Sequence, residues 1–536
     1  MVTVEELLKG YGPNFPPLKE LFDITPSEAD IIKLEAPTAA LGRYFDSVKF
    51  LKDVTSGKAV GKKRFEVLIE YFIQLGDLFD GYSGVHRDKK IVSGLTADEK
   101  KQLRMFGKSL AEIVQAEKIE EFTEHDTAAA GDYLKLKVGT IMPRLTPVLE
   151  GFHFACTSDD VMSIVFGKTL NEIVYNHLIP TILDFEEAQI DYVNVHESKG
   201  PLILPAMTHK QAAEPTTFGK KVANILKAIN YHLDFMQDQT GNFVPFSGKM
   251  SGAVGNFTTH YASYADIDWD TFARNFVEGF GLKYESMTNQ AVSYAVEIQH
   301  FTTIANMLSH ILKFTDDFVD SASCPGQLFI KKKKAGTKGS SIMPNKSNAW
   351  QQEGAQKMLI EARDKLFLYA KELPDYPHEG NMGRSYMMRE VATIFMPIFI
   401  GLNRIGKEVR GYVPNKEKIN AFFREYPGMA GSAIQTVLKR EGIPGDAYRA
   451  IEKIAINPDG TYANAQQFRQ GLERTIEELN LAPELRKELV DLLEPSHLIK
   501  KANELAKDVL YEETKNKIAV YRERLKPYIK ENTTAT

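Results

Sequence analysis

The sequence predicts an all-α protein built around long helices, and three observations carry that prediction. Apolar residues recur at Phe218, Val222, Ile225, Ile229 and Met236, and again at Ile298, Phe301, Ile304, Leu308 and Ile311. Steps of three, four or twice that place each set on one helix face. Residues 347–370 have helical composition with no glycine beyond Gly354. From about residue 403 the chain is charged and helical, broken at Pro414, Gly442-Ile443-Pro444-Gly445 and Pro483. Apolar stripes this long read as core and need neighbouring helices to cover them.

Composition sets the broad class. A chain of 536 residues is too long for one simple core and predicts two to four domains. Hydrophobic content of 43% and charged content of 26% are those of an ordinary globular protein. With 66 basic against 71 acidic residues the net charge is −5, which argues against general nucleic-acid binding. Two cysteines, Cys156 and Cys324, indicate no disulfide framework and fit a reducing compartment. Met1–Glu6 lacks the basic-then-apolar pattern of a signal peptide. The longest apolar stretch, Ile394–Leu402, is short, holds Pro397 and reads as a buried helix rather than a membrane span. The expectation is a cytosolic protein. The twelve histidines include no His-Glu-x-x-His pair, and there is no Gly-x-Gly-x-x-Gly or Walker loop, so no metal, cofactor or nucleic acid is expected.

In chain order, residues 1–35 form a proline-bearing lead-in with no assigned role. Helical patterning then runs from Gly42-Arg43-Tyr44 to about residue 80, and Arg43 is suited to gripping a phosphate because a guanidinium can hold it bidentately. Glu124-His125-Asp126-Thr127 opens a helix at 128–136, where a histidine ordinarily caps or packs. In Phe152–Asp160, the hydroxyls of Thr157 and Ser158 precede two aspartates, which is good capping chemistry. Met207–Gly219 puts His209 in the loop before the helix that starts near Phe218, and the small residues of Ser247–Phe257 permit close backbone packing. Lys331–Lys334 and Lys338 form either a solvated face or a steering patch for a polyanion. Residues 526–536 read as a frayed end.

The most informative stretch is Gly339-Ser340-Ser341-Ile342-Met343-Pro344-Asn345-Lys346-Ser347-Asn348, followed by Glu353. Gly336 and Gly339 make its approach mobile, and donors ahead of a helix N-terminus are suited to binding an anion. This decamer resembles, without a gap, the GSSxMPxKxN signature of the fumarase/aspartase/argininosuccinate lyase/adenylosuccinate lyase superfamily. The segments at 152–160 and 247–257 resemble the HFACTSED and GKxxGAVGN stretches of the longer bacterial-type adenylosuccinate lyases. The resemblance covers roughly residues 36–520. It implies a three-domain lyase with boundaries at 1–148, 149–402 and 403–536, the middle domain a long-helix bundle. It also implies a homotetramer whose active sites draw on three subunits.

The reaction implied is β-elimination of fumarate from adenylosuccinate to give AMP, and from the related succinylaminoimidazole carboxamide ribotide, without a cofactor. Carried over position by position, Ser340 is the base, supported by Lys346 and loop N–H groups. His209 is the general acid with Glu353 as its partner, and His125 orients the succinyl group. Thr157, Ser158 and Asn348 hold carboxylates, with Asp126 and Gln290 also at the substrate. Arg43, Tyr44, Ser385 and Arg389 meet the phosphate. Departures from the pattern are Glu124, Met207, Lys210, Tyr294 and Gly380, the last standing where the phosphate motif has its first arginine, with Arg384 the nearest cation. Of these, Gly380, Lys210 and Tyr294 leave open a sister lyase acting on a different succinyl-amine. A non-catalytic derivative is disfavoured because the catalytic set is complete.

Overall fold

Capping residues fix where the helices begin. The computed structural model describes residues 39–323, 327–332, 336, 339–345, 347–443 and 445–529. The lead-in at 1–35 and Lys346 lie outside them. α1 (Ala39–Val48) leads to α2 (Gly57–Gly81), where the Ser56 hydroxyl accepts from the Ala59 N–H at 3.3 Å. α3 (Asp126–Ile141) starts behind His125, and α4 (Ser158–Asn171) behind Thr157, whose N–H donates to the Asp160 carboxylate at 2.8 Å. α4 continues through π-helical turns at Glu172–Leu178 into α5 (Ile179–Glu197). Pro180 has no N–H with which to continue the regular ladder, and the chain takes these wider turns just before it.

A departure from the all-helical expectation follows. β1 (Ile203–Thr208) and β2 (Gln211–Thr217) pair antiparallel from Ile203↔Thr217 to Thr208↔Gln211. The region expected as a simple loop is therefore a hairpin with His209 and Lys210 at its tip. Its strands escaped notice because Pro205 and Pro215 face each other and the turn lacks Asn-Gly. α6 (Phe218–Asp234) starts directly after it, capped by Thr217, whose hydroxyl accepts from the Lys220 N–H at 3.0 Å.

The bundle is completed by α7 (Ala295–Ala322), α8 (Trp350–Glu372), α9 (Gly383–Arg389) and α10 (Ala392–Val409). α7 packs along α6 and α8, and α8 packs along α10. Phe218, Val222, Ile225 and Ile229 of α6 are buried, as are Phe301, Ile304, Leu308 and Ile311 of α7, as their spacing requires. α10 holds Pro397 and buries Ile394, Phe395, Ile398 and Leu402, so it is a core helix of the bundle. A separate core, including Ile434, Ile451, Phe468, Leu472, Ile476 and Leu489, gathers the helices of residues 431–491. α11 (Lys500–Lys507) and α12 (Lys515–Leu525) return to the main core, α11 against α6 and α12 against α5.

At the centre lies an ion pair with both side chains fully buried: Lys249 Nζ to Asp160 at 2.5 Å. The Asp160 carboxylate also accepts from the N–H groups of Ser251 at 2.9 Å and Gly252 at 3.1 Å. Lys249→Met is expected to lower stability by about 3–5 kcal/mol, because a buried carboxylate loses its counter-charge. The urea midpoint reads this, and Asp160→Asn in the same chain should recover part of the loss. A single variant as stable as wild type would refute the role.

Glu297, at the start of α7, is also buried; burial pushes its pKa up to about 7 against the pull of the Ser247 N–H, 2.9 Å from Oε1. Between its unfolded value and about 7 the native state holds a proton that the unfolded chain has released, so stability falls as pH rises through that window. Glu297→Gln is expected to be the more stable form at pH 8, by up to roughly 3 kcal/mol, and to lose the advantage near pH 4. Melting temperatures of both proteins across that range test the sign.

Candidate active site

Three clusters that include candidate site residues form within the single chain. His125 caps α3, its Nδ1 accepting from the Ala128 N–H at 3.3 Å, and half of its side chain is exposed. Asp126, the next residue, lies between two guanidiniums: Arg64 of α2 at 2.6 Å and Arg389 of α9 at 2.5 Å. Burial would raise the Asp126 pKa, but Arg64 and Arg389, with the Thr127 N–H, hold it below the usual carboxylate range. Arg64 is a residue that sequence reasoning missed. The signal was a cation three residues after Gly61 and four before Leu68, in register with the inward stripe of α2, where a charge needs an anionic partner.

The second cluster joins α9 to the start of α4. Arg384 donates from Nη2 to Asp159 Oδ2 at 2.8 Å and to Gln290 Oε1 at 3.1 Å. Asp159 follows Thr157 and Ser158, so the candidate carboxylate-binding hydroxyls and Gln290 share one neighbourhood. Burial outweighs Arg384 and raises the Asp159 pKa. Ser385 is half-buried beside them.

In the third, the Tyr44 hydroxyl accepts from Arg404 Nη2 at 2.8 Å. The Arg404 guanidinium lies 4.7 Å from the Tyr44 ring centre and 5.4 Å from that of Trp350, tying α1 to the first turn of α8. Arg43 is exposed. Glu353 projects exposed from that same turn of α8, and Asn348 is half-buried ahead of it.

Ser340 is half-buried in the loop before α8, and its hydroxyl oxygen accepts from the N–H groups of Met343 at 3.1 Å and Ile342 at 3.4 Å. Backbone dipoles aimed at an oxygen stabilise negative charge on it. His209 is exposed at the hairpin tip with φ +52, followed by Lys210 at φ +60. Both are in the left-handed region, which is costly for residues with a Cβ. Among the described residues no hydrogen bond or ion pair joins His209 or Ser340 to another candidate site residue; Lys346 lies outside them.

Residues 90–362 match the family model described as Lyase, which is half of the chain. The chain belongs to this lyase family. Among curated relatives, the adenylosuccinate lyase of Dictyostelium discoideum is 25% identical over 478 residues, spanning 87% of this chain and 96% of that one. That of Escherichia coli is 27% identical over 479 residues, spanning 88% and 98%. Among solved structures, a fumarate lyase from Mesorhizobium superposes with a TM-score of 0.63 at 14% identity, covering 86% of this chain and 97% of that one. The β-carboxy-cis,cis-muconate cycloisomerase of Acinetobacter calcoaceticus matches with a TM-score of 0.63 at 13% identity, covering 87% and 98%. The all-α long-helix fold of the lyases is thus the fold of this chain.

The strained turn yields a prediction. Lys210→Gly removes the Cβ penalty at φ +60 and is expected to stabilise the lyase by about 0.5–1 kcal/mol, read from the urea midpoint. A lower midpoint would show that the turn is not strained.

Proposed function

We propose that this lyase eliminates fumarate from adenylosuccinate to give AMP, and performs the same cleavage on succinylaminoimidazole carboxamide ribotide. The observation that carries the reading is the uninterrupted signature loop with the Ser340 oxygen under two backbone N–H donors. The substrate assignment is supported by relatives called adenylosuccinate lyase that match over nearly their whole length.

In the proposed mechanism Ser340 Oγ, as an alkoxide, takes the proton from the carbon beside the β-carboxylate. An ordinary serine hydroxyl is far too weak an acid to be deprotonated in water, so the Ile342 and Met343 N–H groups and Lys346 stabilise the anion. The carbon–nitrogen bond breaks as the carbon–carbon double bond of fumarate forms, and His209 gives its proton to the departing nitrogen. Glu353 is the partner of His209 in this reading. His125 orients the succinyl group, and Thr157, Ser158, Lys346 and Asn348 hold carboxylates whose charge grows in the carbanion-like state. Arg43, Tyr44, Ser385 and Arg389 hold the phosphate, and Asp126 fixes Arg389. No electrons pass to or from an acceptor, so the chemistry requires no redox cofactor.

A homotetramer with sites shared among three subunits accounts for the lack, among the described residues, of any hydrogen bond or ion pair between His209 and the other catalytic residues of its own chain. Apolar side chains left exposed on the bundle, among them Tyr231 on α6, the adjoining Phe235, and Phe367 and Leu368 on α8, support such packing. A cytosolic location is part of this reading, supported by the low cysteine count.

Ultraviolet absorbance of the purified protein with adenylosuccinate is the direct test. Conversion to AMP is expected, with Ser340→Ala and His209→Gln each lowering kcat about 100- to 10,000-fold. Fumarate release from another succinyl-amine, with adenylosuccinate untouched, would favour the sister-lyase reading that Gly380, Lys210 and Tyr294 raise.

A further inference from the structure

The phosphate pattern retains Ser385 and Arg389 but has Gly380 where its first arginine belongs. Space at Gly380 is short. A Cβ on Gly380 would overlap Gln290 Oε1, so no side chain fits there while Gln290 keeps its place. A guanidinium reaches the same Gln290 oxygen from Arg384, about one helical turn further along the chain.

Arg384 is built unlike a structural arginine. Its side chain is 4% exposed, and Nη2 serves both Asp159 and Gln290. The guanidinium lies 5.1 Å from the centre of the Tyr376 ring. Nε and Nη1 are buried and have no hydrogen-bond partner among the described residues. Buried donors on a charged group are costly to leave unpaired, and proteins rarely tolerate them without a use. Asp159 neutralises the edge of the guanidinium that carries Nη2, so an arriving anion meets the remaining N–H groups instead.

We propose that Arg384 is the substrate-binding cation of this lyase in place of the missing arginine, its Nη1 and Nε donating to an oxyanion of the substrate, phosphate or carboxylate. Gln290 belongs to the same device. With Oε1 held by Arg384, its Nε2 is left to donate elsewhere, so one guanidinium both binds the anion and sets the amide orientation. The neighbours agree with an anion subsite: Ser385 is adjacent in sequence, and Thr157 and Ser158 immediately precede Asp159. The proposal rests on the reading of the chain as a succinyl-nucleotide lyase.

The test compares the full-length wild type with Arg384→Met, Arg384→Lys, Asp159→Asn and the double variant Asp159→Asn/Arg384→Met. The double variant removes the orphaned carboxylate and keeps the experiment interpretable should Arg384→Met alone fold poorly. Each is assayed with adenylosuccinate and with its 5′-dephosphorylated nucleoside. Loss of a charge-assisted contact predicts a KM raised about 10- to 100-fold in Arg384→Met, with kcat changed less than about threefold and partial rescue by lysine. A rise with adenylosuccinate but not with the nucleoside assigns the phosphate; an equal rise with both assigns a carboxylate. Folded variants with KM within twofold of wild type on both substrates overturn the proposal. Should the wild type not consume adenylosuccinate, the functional reading fails by itself. Calorimetric binding of inorganic phosphate and of fumarate then decides: affinity lost in Arg384→Met upholds the subsite, and unchanged or absent binding in wild type overturns it.

Discussion

The buried pair of Asp160 and Lys249 is the constraint on which the site depends. Two charges removed from water are retained only when their remaining hydrogen-bonding capacity is met. Here it is: Asp160 accepts from Lys249 and from the N–H groups of Thr157, Ser251 and Gly252, while Lys249 also donates to the Gly252 carbonyl at 3.0 Å. These bonds lock the first turn of α4 to the glycine-rich loop of residues 247–257. Gly255, at φ +80, then runs so close to the Thr288 carbonyl that a Cβ would overlap it. Position therefore passes from the ion pair through the loop to residues 288–290, and so to Gln290.

From this fixed centre α9 is held by two further pairs. Arg384 reaches Asp159 at the start of α4, and Arg389 reaches Asp126 at the start of α3. Both carboxylates lie in the first turn of a helix, where the dipole favours negative charge, and both face an arginine. A short helix is thereby held against two helix N-termini by side chains five residues apart. Such a platform can present donors to a polyanionic ligand without reorganising.

The parts of this arrangement readable in the sequence are those with a local signal. Period-3.6 stripes gave α6 and α7, and an unbroken linear motif gave the loop of Ser340. The hairpin was hidden because its turn is His-Lys rather than Asn-Gly, a choice whose backbone cost is invisible in composition. Asp160 read only as a capping residue, since its partner lies 89 positions away and nothing near Lys249 marks it as buried. Arg384 was noticed only as a cation near a gap. That a side chain at Gly380 would displace Gln290 is visible only once the folded chain brings the two together.

The hairpin carries the argument one step further. Residues held at positive φ persist where their surroundings over-determine them. Here the surroundings are in the C-terminal region: Tyr462 donates to Gln211 Oε1 and Ser432 to Glu214 Oε1, each at 2.6 Å. Ser432 lies in the first turn of the helix Gly431–Arg440 and Tyr462 between the helices Ala447–Ala455 and Ala465–Glu478, so the helical unit of residues 431–491 holds β2, while the main core holds β1 through Leu204. His209 thus stands on a ribbon gripped by two separately packed units. In the proposed lyase the general acid is then positioned by the C-terminal unit and the base by a loop of the central bundle. Motion of the C-terminal unit against the main core therefore moves the general acid, in a composite site whose base comes from another subunit.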